Sequence, residues 1–206
     1  KYKQSIITEA VTKGLNPDVE MKDSGIEWIG KIPKYWEVTK VKHYVKIENG
    51  KDPKTEGDIP VYGSGAESFK TCGEYKIGPT VLLGRKGATL HIPHYIEGKY
   101  WNVDTAFNII PNNKIFLRYF YFLACCFDYK YYISQTTLPG MTQTNYGNIY
   151  IPFPEKEEQQ QIADYLDKKV AEIDNLIAKK ESLINEMEEY KKSLIYECVT
   201  GKKEIV

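Results

Sequence analysis

Between residues 155 and 200 apolar side chains recur in alternating steps close to three and four: Ile162, Leu166, Ile173, Leu176, Leu183, Met187, Tyr190 and Leu194. Val170, Ile177 and Ile184 widen this seam, while Lys169 and Lys180 interrupt it. The stretch holds no Gly or Pro and is rich in Glu, Lys, Gln, Ala and Leu. Its period predicts one long amphipathic helix with a coiled-coil-like face. At about 1.5 Å per residue the helix runs roughly 65 Å, longer than a compact domain of this size needs. Pro152 and Pro154 precede it, Glu155, Glu157 and Glu158 suit the positive end of its dipole, and Gly201 follows Lys191 and Lys192 as a C-cap. A stripe this long requires a second helix to cover it. The seam residues other than Tyr190 are therefore candidate helix-pairing positions, against the simpler expectation of a long helix packed on its own domain.

Upstream, the pattern changes period. Short β-branched and aromatic runs at 38–47, 59–62, 80–83, 100–103 and 106–110 are separated by Gly and Pro clusters and predict strands. Residues 114–132 predict a helix, with Ile115, Phe116, Tyr119, Phe122, Leu123 and Phe127 on or near one face. A polar, turn-rich stretch at 134–148 follows, then a strand at 149–153 that feeds the long helix. Residues 15–37 are punctuated by Gly and Pro and read as a linker that Trp28 and Trp36 pin to the core. The expected class is α+β, a mixed and mainly β globular domain followed by one long coiled-coil-forming helix.

Residues 1–14 resemble the end of that helix in detail. Tyr2–Thr12 and Tyr190–Thr200 are identical at seven of eleven positions: Tyr2/Tyr190, Lys3/Lys191, Ser5/Ser193, Ile7/Ile195, Glu9/Glu197, Val11/Val199 and Thr12/Thr200. Ile6/Leu194 and Ala10/Cys198 are similar, and a glycine follows each copy. A repeat spaced by 188 residues predicts one unit of a longer duplicated protein, opening on the tail of a preceding helix. The domain division expected is 1–25 (tail and linker), 26–153 (globular domain) and 154–206 (spacer helix).

Charge refines this picture. The formal net charge is zero, which argues against a purely electrostatic nucleic-acid binder, yet the halves differ. Residues 1–154 carry 19 basic and 15 acidic side chains, and residues 155–206 carry 9 and 13. A polyanion should meet the globular part and avoid the rod. Cys72, Cys125, Cys126 and Cys198 show neither paired nor metal-ligand spacing, and there is no signal peptide, which predicts a reducing cytoplasm. The apolar run 115–127 is too short to span a bilayer and contains Arg118.

Two stretches carry candidate chemistry. In Gly84-Arg85-Lys86-Gly87 an apolar strand opens onto an Arg-Lys pair flanked by glycines, which allow close backbone approach to a ligand. An arginine presented there can contact a phosphate or pair bidentately with guanine; the alternative is a solvated surface turn. Residues 135–145, from Gln135 to Asn145 and including Thr142 and Gln143, are dense in hydroxyl and amide groups that can bond phosphates and base edges. As composition alone this is an ordinary loop. Lys40, Lys42, Lys46, Lys51 and Lys54 add a basic run.

Enzymatic constellations are poor. His91-x-x-His94 has possible metal spacing, but Pro93 disfavours a helical pair and no cysteine or carboxylate cluster completes a site. Pro17-Asp18 with Glu20-x-Lys22 superficially resembles a nuclease arrangement, but its carboxylates lie too close in sequence to sit on two strands. There is no phosphate-binding loop, no dinucleotide fingerprint and no methyltransferase cofactor motif. The expectation is no catalytic centre, no metal and no cofactor.

Several short motifs, in order, resemble one family. They are Ser24-Gly25-Ile26-Glu27-Trp28-Ile29-Gly30-Lys31-Ile32-Pro33 with Trp36-Glu37-Val38, then Ile59-Pro60-Val61-Tyr62-Gly63-Ser64-Gly65, then the loop 84–87. Trp101 with Asp104-Thr105-Ala106-Phe107, and Pro152 with Glu158-Gln159 and Ile162, complete the set. Together they resemble the specificity subunits of type I restriction–modification systems, and the match covers nearly the whole chain. The resemblance implies two target recognition domains per subunit, each followed by a conserved helix. It also implies antiparallel helix pairing, docking of two methyltransferase subunits and, through them, the restriction subunit. Each domain would read one half of a split double-stranded DNA site, without catalysis by the subunit itself. This chain resembles the second half of such a subunit, with Arg85 and Lys86 as DNA contacts and Gly84, Gly87, Lys51, Thr142, Gln143 and Asn145 as further candidates. An isolated half is expected to homodimerise through its antiparallel helices. The competing function is a coiled-coil assembly adaptor with a protein-binding domain.

Overall fold

The computed structural model describes residues 1–65, 67–129, 132 and 140–202. Packing divides the chain into a unit at Lys1–Leu166 and a second at Asp167–Val206. This differs from the motif-based division, because residues 1–25 and the first turns of the long helix pack within the globular unit.

The first unit opens with α1 (Tyr2–Lys13) and a hairpin of β1 (Met21–Asp23) and β2 (Lys31–Pro33). Then come β3 (Glu37–Lys40), a 3₁₀ turn at Val41–His43, β4 (Val45–Asn49), β5 (Ile59–Tyr62), β6 (Lys70–Cys72) and β7 (Lys76–Ile77). They are followed by β8 (Thr80–Gly84), β9 (His94–Ile96), β10 (Lys99–Asn102) and β11 (Ala106–Pro111). α2 (Leu117–Ala124), α3 (Gln143–Gly147) and β12 (Tyr150–Phe153) lead into α4 (Lys156–Val199). Among the described residues two four-stranded sheets result, in orders β6–β5–β10–β7 and β4–β11–β8–β9, beside the two-stranded ladders β1–β2 and β12–β3. This is the mainly β head followed by a long helix that the periodicities predict.

Three expectations about individual elements are corrected. The run 38–47 is two strands, because its halves pair with different partners: Val38 lies opposite Pro152 of β12, and Ile47 opposite Ile109 of β11. The turn between them is fixed where the Val41 amide donates to Ile149 O at 3.0 Å, and Tyr44 stacks on Phe153 with ring centroids 3.8 Å apart. Residues 15–37 are not only linker, since they contain the β1–β2 hairpin. Trp36 is buried there, and Trp28 packs edge-on against Phe127.

Among the described residues, the helix expected over 114–132 is only α2 (Leu117–Ala124). Lys114 N–H donates to Asn112 Oδ1 at 3.0 Å instead of entering a helix. The Phe116 amide is taken by Gln159 Oε1 at 2.8 Å, and Phe116 itself stays extended. Gln159 is fully buried and also donates to Pro154 O and Lys114 O. One amide from α4 thus satisfies the backbone on both sides of the approach to α2, as a buried polar group must be satisfied.

The core lies where α2 packs on β8 and β9. β8 is buried along its whole length, paired with β11 on one side and β9 on the other. A strand covered this way reads as continuous apolar sequence, as Val81-Leu82-Leu83 does. Ile162 and Leu166, expected to pair with another helix, are instead buried in this unit, because the first three turns of α4 belong to it. In the second unit, by itself, α4 is a regular helix on which Leu176, Ile177, Leu183, Ile184, Met187 and Tyr190 are exposed. Ile173 and Leu194 are part-covered. Among the described residues no helix is long and apolar enough to cross a membrane.

Candidate nucleic-acid interface

The antiparallel registers align one end of the β4–β11–β8 sheet. Asn49 faces Phe107, and Gly84 faces Ala106, so β4 and β8 both terminate where β11 begins. Three loops therefore leave the same edge: Gly50-Lys51 after β4, Arg85-Lys86-Gly87 after β8, and Asp104-Thr105 before β11. Backbone bonds tie them together. Gly50 N–H donates to Ala106 O at 3.2 Å, Arg85 N–H to Thr105 O at 2.8 Å, and Lys51 N–H to Asn102 O at 3.0 Å.

The second sheet brings a fourth segment. Val103 N–H donates to Tyr62 O at 3.0 Å, which carries Gly63 and Ser64 to this edge. A methyl group at Gly63 would meet Thr105 Oγ1 at 2.8 Å, and one at Gly87 would meet Ser64 Oγ at 3.4 Å. The motif segments at 59–65, 84–87 and 101–107, separate in sequence, thus form one surface.

Within it the two flanking glycines serve different ends. Gly87 has φ +107°, a conformation that a side chain disfavours. Gly84 is ordinary in φ but buried, and a Cβ there would collide with the Leu90 backbone. Its carbonyl accepts the Tyr146 hydroxyl at 2.7 Å. Gly84 is thus a packing residue, whereas Gly87 shapes the loop.

Arg85 is positioned rather than free. Its Nη1 donates to Asp104 O at 3.2 Å and lies 3.8 Å from Asp104 Oδ2, with the guanidinium 6.0 Å from the Phe107 ring centroid. Its side chain keeps 34% exposure, and a guanidinium has five N–H donors of which this contact uses one. Lys86 is exposed.

Nearby, a cationic group surrounds one carboxylate. Lys46 binds Glu48 at 2.6 Å, and that hydrogen bond, helped by Lys76 and Lys51, holds the Glu48 carboxyl below its usual range. Lys76 donates to Asn102 Oδ1 at 2.8 Å and sits 5.7 Å from the Trp101 ring centroid. Its pKa is lowered by burial, with Glu48 opposing and Lys51 adding to the shift. Lys51 is exposed, and its carbonyl accepts from Trp101 Nε1 at 2.7 Å. Three lysines to one glutamate leave this flank positive. Lys76 was missed in the sequence because nothing local marks it; only the β10–β7 pairing brings it to Asn102.

The polar stretch 135–145 is only partly involved. Residues 135–139 lie outside the described residues. Lys86 bridges Gly140, and Met141 N–H donates to Arg85 O at 2.9 Å, so the following residues do reach this loop. The side chains named there are, however, engaged in folding bonds. Thr142 Oγ1 caps α3 by accepting from Asn145 N–H at 3.0 Å. Gln143 Nε2 donates to Ile47 O at 2.9 Å, and Asn145 Nδ2 to Tyr132 O at 2.6 Å. Among the described residues no group of His, Cys, Asp and Glu is arranged to hold a metal ion.

Residues 33–186 match the family described as type I restriction modification DNA specificity domain. A curated relative, the type I restriction enzyme MjaIX specificity subunit of Methanocaldococcus jannaschii, is 28% identical over 180 residues, covering 72% of this chain and 40% of the relative. The fold is shared with a chain solved in work on complex assembly and conformational transition of the type I R-M system, at TM-score 0.73 and 16% identity, covering 95% of this chain and 50% of that one. It is also shared with the HsdS subunit of Thermoanaerobacter tengcongensis, at TM-score 0.60 and 16% identity, over 85% and 44% of the two chains. The chain thus spans half or less of the length of these relatives. With the matched region covering well over half of its residues, this chain belongs to the type I restriction modification DNA specificity domain family.

Proposed function

We propose that the globular unit recognises one half of a bipartite double-stranded DNA site, without catalysis, and directs methyltransferase and restriction subunits to it. The observation that carries this reading is the shared sheet edge, where Arg85, Lys86, Lys51 and Lys76 converge on loops that carry the family motifs. Arg85 and Lys86 are the leading contacts. The bonds made by Thr142, Gln143 and Asn145 support a role for them in shaping the loop beside Arg85. On α4 the exposed positions Leu176, Leu183 and Met187, with Ile173 and Leu194, form the pairing seam. Two copies joined antiparallel through it would present two identical half-sites.

Genome-wide methylation mapping with the cognate methyltransferase subunits tests the reading. The expected result is one methylated motif that disappears without this chain. Methyl transfer by the purified chain alone would overturn the non-catalytic assignment. Binding to duplex DNA should weaken steeply with salt, and Arg85→Ala should cost about 1–3 kcal/mol at the cognate site if the arginine reads a base. An adaptor whose head binds protein would instead show DNA binding that ignores Arg85.

A further inference from the structure

Of the seven phenylalanines, six are buried or part-covered, and Phe69 alone is exposed, at 60%. A single exposed apolar side chain is ordinary, and it is the place in the fold that gives this one meaning. β5 and β6 are antiparallel, with Val61 opposite Lys70, so β6 begins where β5 ends. β10 runs parallel to β5, with Asn102 opposite Tyr62, and ends there too. Phe69, one residue before β6, therefore stands at the edge from which Gly63-Ser64 and Asp104-Thr105 depart. Its amide donates to Val61 O at 3.2 Å, which fixes the backbone. A methyl group placed on Gly63 would lie 3.6 Å from the Phe69 ring and 2.8 Å from Thr105 Oγ1. Thr105 O in turn accepts the Arg85 amide at 2.8 Å, so the ring and the arginine are joined through one residue.

We infer that Phe69 is a specificity-determining residue that reads a thymine of the half-site, by apolar contact with its C5 methyl group in the major groove. The inference rests on the recognition reading proposed above and assigns it a base. The chemistry is restrictive. A phenyl ring has no conventional hydrogen-bonding group, and the thymine methyl is the apolar group that a base edge offers in the major groove. Insertion as a wedge between base steps would need both ring faces free, and Lys70 Nζ stands over one, 5.5 Å from the centroid. That ammonium is placed to meet a phosphate while the ring reaches the base edge. Lysine is depleted in the core of a protein–protein interface, whereas this ring has Lys70 on its face and Lys51, Lys76 and Lys86 on the same edge. The fold leaves the ring in water, so its burial is gained only in the complex.

The test uses the full chain assembled with its methyltransferase subunits and the motif found by methylation mapping. Each thymine of the half-site is replaced in turn by deoxyuridine, which removes only the C5 methyl, and binding is read by fluorescence anisotropy. One replacement should weaken binding by the parent about three- to tenfold, the scale of one buried methyl group. The same replacement should leave Phe69→Ala unaffected, because that variant has already lost the contact. Phe69→Leu, still apolar, should keep part of the discrimination, and both variants should melt with the parent because the side chain is exposed. Mapping with Phe69→Ala should relax the motif at that position alone. A half-site without thymine on either strand, no deoxyuridine effect in the parent, or an effect that persists in Phe69→Ala overturns the inference. So does a loss in Phe69→Ala that is equal on cognate and unrelated duplexes. A chain that yields no motif at all would fault the recognition reading and this assignment with it, whereas a motif indifferent to Phe69 faults this assignment alone.

Discussion

Arg85 meets two demands with one side chain. It is held by the Asp104 carbonyl and carboxylate, so under the proposed function less rotamer freedom would be lost when its remaining donors meet DNA. Asp104→Asn keeps the backbone acceptor and removes only the 3.8 Å charge attraction together with one negative charge at the interface. DNA affinity should rise by about two- to fivefold, the scale of an exposed ion pair, as read by fluorescence anisotropy at fixed salt. Glu74 makes a different prediction. It accepts from Lys54 N–H, Thr55 N–H and Thr55 Oγ1, and these bonds, Thr55 Oγ1 foremost, depress its pKa to about 2. A depressed carboxyl stabilises above its unfolded pKa and loses that contribution as pH falls from about 4.5 toward 2. The protection factors of the Lys54 and Thr55 amides, the exchange rates corrected for the intrinsic pH dependence, should fall across that window, and the fall should be absent in Glu74→Gln.

At the scale of elements, the first turns of α4 are a keystone of the head rather than the start of a free rod. Gln159 makes three hydrogen bonds inside the core, so Gln159→Ala orphans the Phe116 amide and two carbonyls. The expected cost is about 1–3 kcal/mol in urea unfolding. Ile162→Ala removes a fully buried side chain from the same turn and should cost about 2–5 kcal/mol. Leu183→Ala, on an exposed part of the same seam, should leave the unfolding of the head unchanged. The contrast distinguishes core positions from pairing positions along one periodic stripe. α3 shows how local bonding decides an element: Thr142 caps a five-residue helix in a stretch whose composition reads as loop.

For the whole molecule, the proposed pairing seam makes self-association a direct test. Leu183→Glu with Met187→Glu should convert a dimer to a monomer in sedimentation equilibrium, without lowering the melting temperature of the head. A dimer that survives both charges would remove α4 from the interface. Charge acts at this scale too: the acidic excess after residue 154 would, under the proposed function, disfavour a polyanion there relative to residues 1–154.

The long helix, the strand-rich head and the repeat between 2–12 and 190–200 were legible in the sequence, because periodicity and residue identity are local properties. The strands at 59–62, 80–83, 100–103 and 106–110 are local in the same sense, as each run is bounded by its own turn residues. What needed tertiary structure was everything set by partners distant along the chain. The split of 38–47 depends on β12 and β11, and the shortening of the 114–132 helix depends on Gln159 more than forty residues later. The gathering of Lys51, Lys76, Arg85 and Asp104 on one edge depends on strand register. Ile162 and Leu183 occupy the same stripe and look alike in sequence. Only packing buries one and exposes the other, because burial is a property of what lies opposite a residue and not of the residue itself.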